Sequence, residues 1–231
     1  MKRAIITGVS RGLGKALAET CLDQGWNVLG IGRSTDIQSG GFDFEERDLS
    51  EQIEFNFLDA YLDGATEILL INNAGILGEV RRISDQEETD IRKVFEVNFL
   101  AAVELSHALL KARRPEQKVS IVNISSGAGR RAIPSWAAYG SSKAALDHFS
   151  LILQEEENEK GSNTRIHSLA PGVVDTGMQE QIRKVSPEDF SAVDNFHQLK
   201  ETNSLRQAED VAQNLLKRLS DGTLEVVDRL S

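Results

Sequence analysis

The sequence predicts an α/β fold, a single-domain doubly wound parallel sheet with helices on both faces. Three observations predict it. Short apolar runs alternate with segments of helical periodicity. The first apolar run ends in a cluster of glycines that opens directly into a helix. The chain of 231 residues has no internal repeat and no linker rich in Pro, Gly or Ser, which fits one domain.

The elements follow in order. Residues 4–6 read as a buried strand ending at Thr7-Gly8. Residues 12–24 place Leu13, Ala16, Leu17 and Cys21 at helical spacing, and Gly25 closes them. Residues 26–31 form a second strand, and the charged stretch 42–47 a weaker third. A helix is expected over 51–62 and a strongly apolar strand over 68–71. Then come a long helix over 85–112, a strand over 119–124, a helix over 137–157 and a strand over 165–169. Beyond Pro171 the pattern loosens, and residues 176–204 read as helical pieces on a long excursion. A helix over 208–219 and a strand over 224–227 finish the chain. Right-handed crossovers between such units give a parallel sheet whose ligands bind at the carboxyl ends of the strands.

Composition excludes several classes. Lys plus Arg total 26 against 36 Asp plus Glu, a net charge of −10. That argues against a general nucleic-acid binder, whose affinity rests on neutralising phosphates, yet leaves room for a local basic pocket. One cysteine, Cys21, excludes an intrachain disulfide framework and a multi-cysteine zinc site. His107, His148, His167 and His197 lack metal-like spacing, so no metal is expected. No run approaches about 18 uninterrupted apolar residues, and the first residues lack a long apolar signal region. A cytoplasmic protein with no membrane partner is the expectation.

The first strand ends Thr7-Gly8-Val9-Ser10-Arg11-Gly12-Leu13-Gly14 and runs into a helix. Glycines there let the chain turn tightly, admit a pyrophosphate and pack helix against strand. The helix N-terminus offers it N–H groups and a positive dipole end. The second strand ends Gly30-Ile31-Gly32-Arg33, beside the adenosine ribose in a dinucleotide fold. An acid there would bond the ribose 2′-hydroxyl, whereas an arginine accommodates a 2′-phosphate. Arg33 together with Arg11 therefore points to NADP(H) as cofactor.

Tyr139 and Lys143 are spaced i, i+4 on one helical face, and Ser126 lies just past the strand over 119–124. With these pieces, the sequence resembles the classical short-chain dehydrogenases/reductases, a Rossmann-like family. The matching pieces are Thr7-Gly8-x-x-x-Gly12-x-Gly14, Asn72-Asn73-Ala74-Gly75, Asn98, Ser126, Tyr139-x-x-x-Lys143 and Pro171-Gly172 with Thr176. They run through almost the whole chain.

The resemblance implies roles that chemistry supports. Tyr139 would give a proton to the carbonyl oxygen as hydride arrives. A phenol has an ordinary pKa near ~10, and the Lys143 cation would lower it. Ser126, rather than Ser125, would donate a hydrogen bond to that oxygen. Asn98 would hold a water beside Lys143, and Lys143 would bond the nicotinamide ribose. Asn73, Ala74 and Gly75 would lie against the adenine-side ribose. Asp48, followed by Leu49, would contact the adenine, although a helix N-cap reads equally well there. The loop Pro171-Gly172-Val173-Val174-Asp175-Thr176 would fix the nicotinamide carboxamide, and so the ring face that donates hydride.

Within the family, Ser135-Trp136-Ala137-Ala138-Tyr139 and the stretch from Pro171 to Arg206 resemble the sepiapterin reductase and benzil reductase group. Members reduce one carbonyl of vicinal dicarbonyls. Trp136 reads either as a flat wall for an aromatic substrate or as core packing. Glu225 stands where sepiapterin reductases carry a pterin-anchoring aspartate, and the departure turns the reading toward a diketone. Residues 176–204 would close over the substrate as a lid. Other ketones, such as 3-oxoacyl or steroid substrates, and a non-catalytic NADP(H)-binding regulator are the alternative readings. A homodimer is expected by analogy with the family.

Overall fold

The computed structural model describes residues 1–230. Seven strands form one parallel sheet: β1 (Lys2–Thr7), β2 (Asn27–Gly32), β3 (Phe42–Glu46), β4 (Glu67–Asn72), β5 (Lys118–Ile124), β6 (Thr164–Ala170) and β7 (Val227–Arg229). Their spatial order is β3-β2-β1-β4-β5-β6-β7, so the winding reverses between β1 and β4. That reversal opens a crevice at the carboxyl ends.

Alternation along the strands explains the two layers. Ile68 and Leu70 of β4 belong to one core, while Leu69 and Ile71 belong to the other. The Leu69 side packs on α1 (Gly12–Asp23) and α8 (Ala208–Ser220). The Ile68 side packs on α2 (Leu58–Leu62), α4 (Ala101–Ala112) and α5 (Ala137–Glu159). With both faces covered, the strands are near-continuous apolar runs. A third cluster sits above the sheet, where α6 (Gly177–Arg183) and α7 (Val193–Glu201) cover the loop after β5.

Three segments depart from the sequence expectation. The helix over 51–62 shrinks to α2, because Ile53, Phe55 and Phe57 pack inward at every second residue, the spacing of extended chain. The long helix over 85–112 breaks into α3 (Glu88–Phe95), a π-helical turn at Glu96–Leu100 and α4. The last strand sits about three residues later than expected, since Asp228 folds back to accept from the Glu225 N–H at 3.3 Å.

Candidate active site

The glycine turn joins β1 to α1. Gly8 and Gly12 have φ of 76° and 56°, in the left-handed region. A Cβ on Gly14 would lie 2.2 Å from the Gly8 carbonyl oxygen, so no other residue fits there. Arg11, the N-cap residue of α1, makes no side-chain cap, and the first turn holds no acid. The helix therefore presents its N–H groups and positive end to the crevice. Thr7 fastens this turn to the next strand end: its Oγ1 accepts from the N–H groups of Asn73 (3.0 Å) and Ala74 (2.9 Å). Asn72 instead ties the sheet together, donating to Asn123 at 2.8 Å.

The crevice is a cavity of about 590 Å³ running from this turn to the α6–α7 cover. Ser126, Tyr139 and Lys143 meet in its middle. Tyr139 is 7% exposed and Lys143 4%. Burial pushes the Tyr139 phenol above its ordinary value, while the neighbouring Ser126 hydroxyl pulls it back. Burial also lowers Lys143 from 10.5 to about 8, opposed by the Asp147 carboxylate one turn further on. Lys143 Nζ donates to the Ile124 carbonyl at 2.8 Å. Ser125 is buried against α5, within 3.5 Å of the Lys143 carbonyl, which leaves Ser126 as the serine beside the phenol.

Asn98 lies in the π-helical turn, a device that commonly marks functional sites. Its side chain grips Ile76 twice, accepting from the N–H at 2.7 Å and donating to the carbonyl at 2.9 Å. It also donates to Ser142 Oγ at 3.1 Å. The amide is therefore engaged with protein, and its visible work is to hold the strand β4 exit over the lysine. A Cβ on Gly75 would fall 3.3 Å from Asn98 Oδ1 and 3.5 Å from Lys143 Nζ.

Arg33, Asp48 and Leu49 line the opposite end of the cavity. Asp48 caps no helix; its carboxylate accepts from the Ser50 N–H (2.9 Å) and hydroxyl (2.7 Å). Those bonds, helped by Arg33 and Lys93, hold it below the usual carboxylate range. Arg11 turns its guanidinium to Gly177, at the start of α6. Arg11 still lines the cavity, and Arg47 and Lys93 join Arg33 at this end, two cations which the sequence reading missed. Their one sequence signal was position: Arg47 directly precedes Asp48.

Pro171, Gly172, Val174 and Thr176 form the third wall. Arg206 holds this loop, donating to the carbonyls of Pro171 (3.0 Å) and Leu230. Gly12 and Thr176 close on each other, since a Cβ on Gly12 would meet Thr176 Cγ2 at 3.1 Å. Trp136 lies edge-on to Tyr139, with ring centroids 5.6 Å apart, and stacks on Phe190 at 5.3 Å. It serves as both core and cavity wall. Ile133, Met178, Gln179 and Phe196 complete that end. Glu225 is not brought there: it is exposed, outside the cavity, and its carbonyl faces His167 Nδ1 at 3.0 Å. Arg229 takes the place expected for it at the C-terminal end.

The residues fit a dinucleotide. An uncapped helix N-terminus, glycines whose side chains would fill the crevice, and a row of cations match a phosphate-bearing ligand. The profile of the family described as short chain dehydrogenase matches residues 2–186. The chain belongs to that family. Short-chain dehydrogenases are oxidoreductases that use nicotinamide cofactors. Among curated relatives, a benzil reductase ((S)-benzoin forming) of Bacillus subtilis (strain 168) is 35% identical, over 96% of this chain and 95% of that protein. One of Bacillus cereus is 36% identical, over 94% of each. The crystal structure of the KRED1-Pglu enzyme superposes with a TM-score of 0.86 at 29% identity, covering 99% of this chain and all of that one.

Proposed function

We propose that this short-chain dehydrogenase is an NADPH-dependent carbonyl reductase that reduces one carbonyl of a vicinal dicarbonyl. The observation that carries the reading is the convergence of Ser126, Tyr139 and Lys143 between a cation-lined dinucleotide end and an aromatic-walled end. The bound nicotinamide would supply the hydride. Ser126 and Tyr139 are placed to grip the carbonyl oxygen. A hydrogen bond from Ser126 strengthens as charge develops on that oxygen. Tyr139, kept protonated by burial, has the proton to give. Lys143 is poised beside Gly75 to bond a ribose hydroxyl and hold positive charge near the phenol.

The substrate reading draws on two supports. The benzil reductase relatives act on a diketone by name, and Trp136, Phe196, Ile133 and Met178 give this chain an apolar wall for such a body. An adjacent carbonyl withdraws electrons and eases hydride addition. NADPH over NADH is supported by Arg33 and Arg47 at the adenine end, where Asp48, the sole acid lining the cavity among the described residues, is occupied by Ser50. We also propose a homodimer through α5 and the π-helical turn that leads into α4, where Leu151 and Ile152 of α5 and Leu100 of the turn are left exposed. Sedimentation equilibrium tests it, and a monomer at micromolar concentration would refute it.

The test of the activity is NADPH oxidation with benzil, 1-phenyl-1,2-propanedione and diacetyl. Tyr139→Phe should cut kcat by about 10²–10⁴-fold and leave the NADPH dissociation constant nearly unaltered. Near-normal turnover in that variant would sink the proposal.

A further inference from the structure

Arg130 and Arg131 both line the substrate end, yet only one is engaged. Arg130 donates from Nε to the Asp147 carboxylate at 2.9 Å and from Nη2 to the Asp228 carbonyl at 3.0 Å. Arg131 has no side-chain hydrogen bond or ion pair among the described residues. Its guanidinium folds back over Gly127, the residue after Ser126. A Cβ at Gly127 would lie 3.3 Å from Nη2 and 3.9 Å from Nε and Cζ. Glycine at that position lets the exposed guanidinium rest against the backbone directly after Ser126.

Among the described residues, no carboxylate at this end neutralises it. The one described carboxylate lining the cavity, Asp48, sits at the far end under the influence of Arg33 and Lys93. Arg229 adds a second cation on the Arg131 side. Two further polar groups are left without partners in side chains that are more than nine-tenths buried and line the same space. They are the N–H at Nε1 of Trp136 and Oε1 of Gln179. An unpaired buried donor is costly unless a ligand completes it.

We propose that Arg131, assisted by the Trp136 N–H, recognises a carboxylate next to the reacting ketone, so that the substrate is an α-keto acid bearing an apolar, aryl-sized group. This rests on the dicarbonyl-reductase reading and narrows it: the second carbonyl is that of a carboxylate. The keto carbon accepts hydride from the reduced dinucleotide, which leaves oxidised. The carbonyl π bond opens, the oxygen takes the Tyr139 proton, and an α-hydroxy acid results with its carboxylate unchanged. Trp136 and Phe196, in contact with each other across 5.6 Å, give one apolar wall against which the aryl body would lie.

Phenylglyoxylate and its methyl ester differ only in the charge that Arg131 is proposed to read. Arg131→Gln should raise KM for the acid about 10-fold or more beyond its effect on the ester, the size expected of a lost charge-assisted bond. Arg131→Lys should recover part of it. Calorimetric titration of phenylglyoxylate into protein loaded with oxidised dinucleotide should show the same loss without any turnover, and added salt should weaken the wild-type binding. Equal effects on acid and ester, with unchanged binding of the acid, would overturn the inference while leaving the reductase reading intact. If none of the dicarbonyls is reduced, the reductase reading falls. The titration still decides whether Arg131 holds the anion.

Discussion

Lys143 donates from Nζ to the Ile124 carbonyl at 2.8 Å, at the end of strand β5. This bond fixes the buried Lys143 side chain one helical turn from Tyr139. Burial makes its charged form costly, which is why the lysine falls to about 8. The charge is therefore complete below that value and is lost as pH rises through it.

The pH profile of ketone reduction follows from that sign. kcat/KM, which reports groups of the free enzyme, should decline as pH rises through about 8. Lys143→Arg should push the decline to higher pH, because a guanidinium stays charged, although at lower activity. Asp147→Asn removes the carboxylate that opposes the shift, so the decline should come at lower pH. Steady-state rates from pH 6 to 10 check all three, and profiles that coincide would remove Lys143 from the titration.

Cofactor choice turns on Arg33 and Arg47. Arg33→Asp sets a carboxylate where a 2′-phosphate would lie. It should weaken NADPH relative to NADH by about 10–100-fold, the value of one or two charge-assisted bonds. Arg47→Gln should act in the same direction and less strongly, since Arg47 also pairs with Glu45 at 3.0 Å. Fluorescence titration with the two reduced dinucleotides measures the ratio. An unchanged ratio in both variants would place the phosphate elsewhere.

Trp136 is as much a keystone as a wall. Its ring stacks on fully buried Phe190 and touches Phe196 across 5.6 Å. Truncating a buried aromatic costs about 3–5 kcal/mol, so Trp136→Ala should lower Tm by roughly 6–20 °C at this chain size. Trp136→Phe should keep most of the stacking and most of the stability. Thermal denaturation of the two variants separates the roles, and a small loss in Trp136→Ala would return the residue to a wall alone.

The fold was legible because its signals are local. Continuous apolar runs mark strands covered on both faces, and the glycines at 8, 12 and 14 declare a turn that no side chain permits. Tyr139 and Lys143 were legible because their spacing is a helical turn. What escaped was set by contacts distant in sequence. The apolar periodicity runs through residues 96–100 without marking a π-turn, and the grip of Asn98 on Ile76 spans 22 residues. Phe55 and Phe57 carried an extended pattern that was hidden inside a helical-looking window. Glu225 was misplaced because the turn at Asp228 delays the last strand. Arg131 shows only as half of a basic pair until Asp147 is seen to engage its neighbour.

Asn98 supplies the sharpest separation of architecture from chemistry. Its side chain makes three hydrogen bonds inside the protein, two of them to the backbone of Ile76 beside Gly75. Asn98→Leu leaves the N–H and carbonyl of half-buried Ile76 without their partner, at up to about 1–3 kcal/mol for each group. Tm should therefore fall by several degrees, roughly 2–4 °C per kcal/mol at this size. Asn98→Asp keeps the acceptor for the Ile76 N–H but loses the donor to its carbonyl, so it should fall between the leucine variant and the wild type. It also puts a carboxylate near Lys143, which should move the decline in kcat/KM to higher pH than in wild type. A positioning role predicts both changes together. If Asn98→Leu kept its Tm and lost only turnover, the asparagine would act on the reaction directly instead of through Ile76.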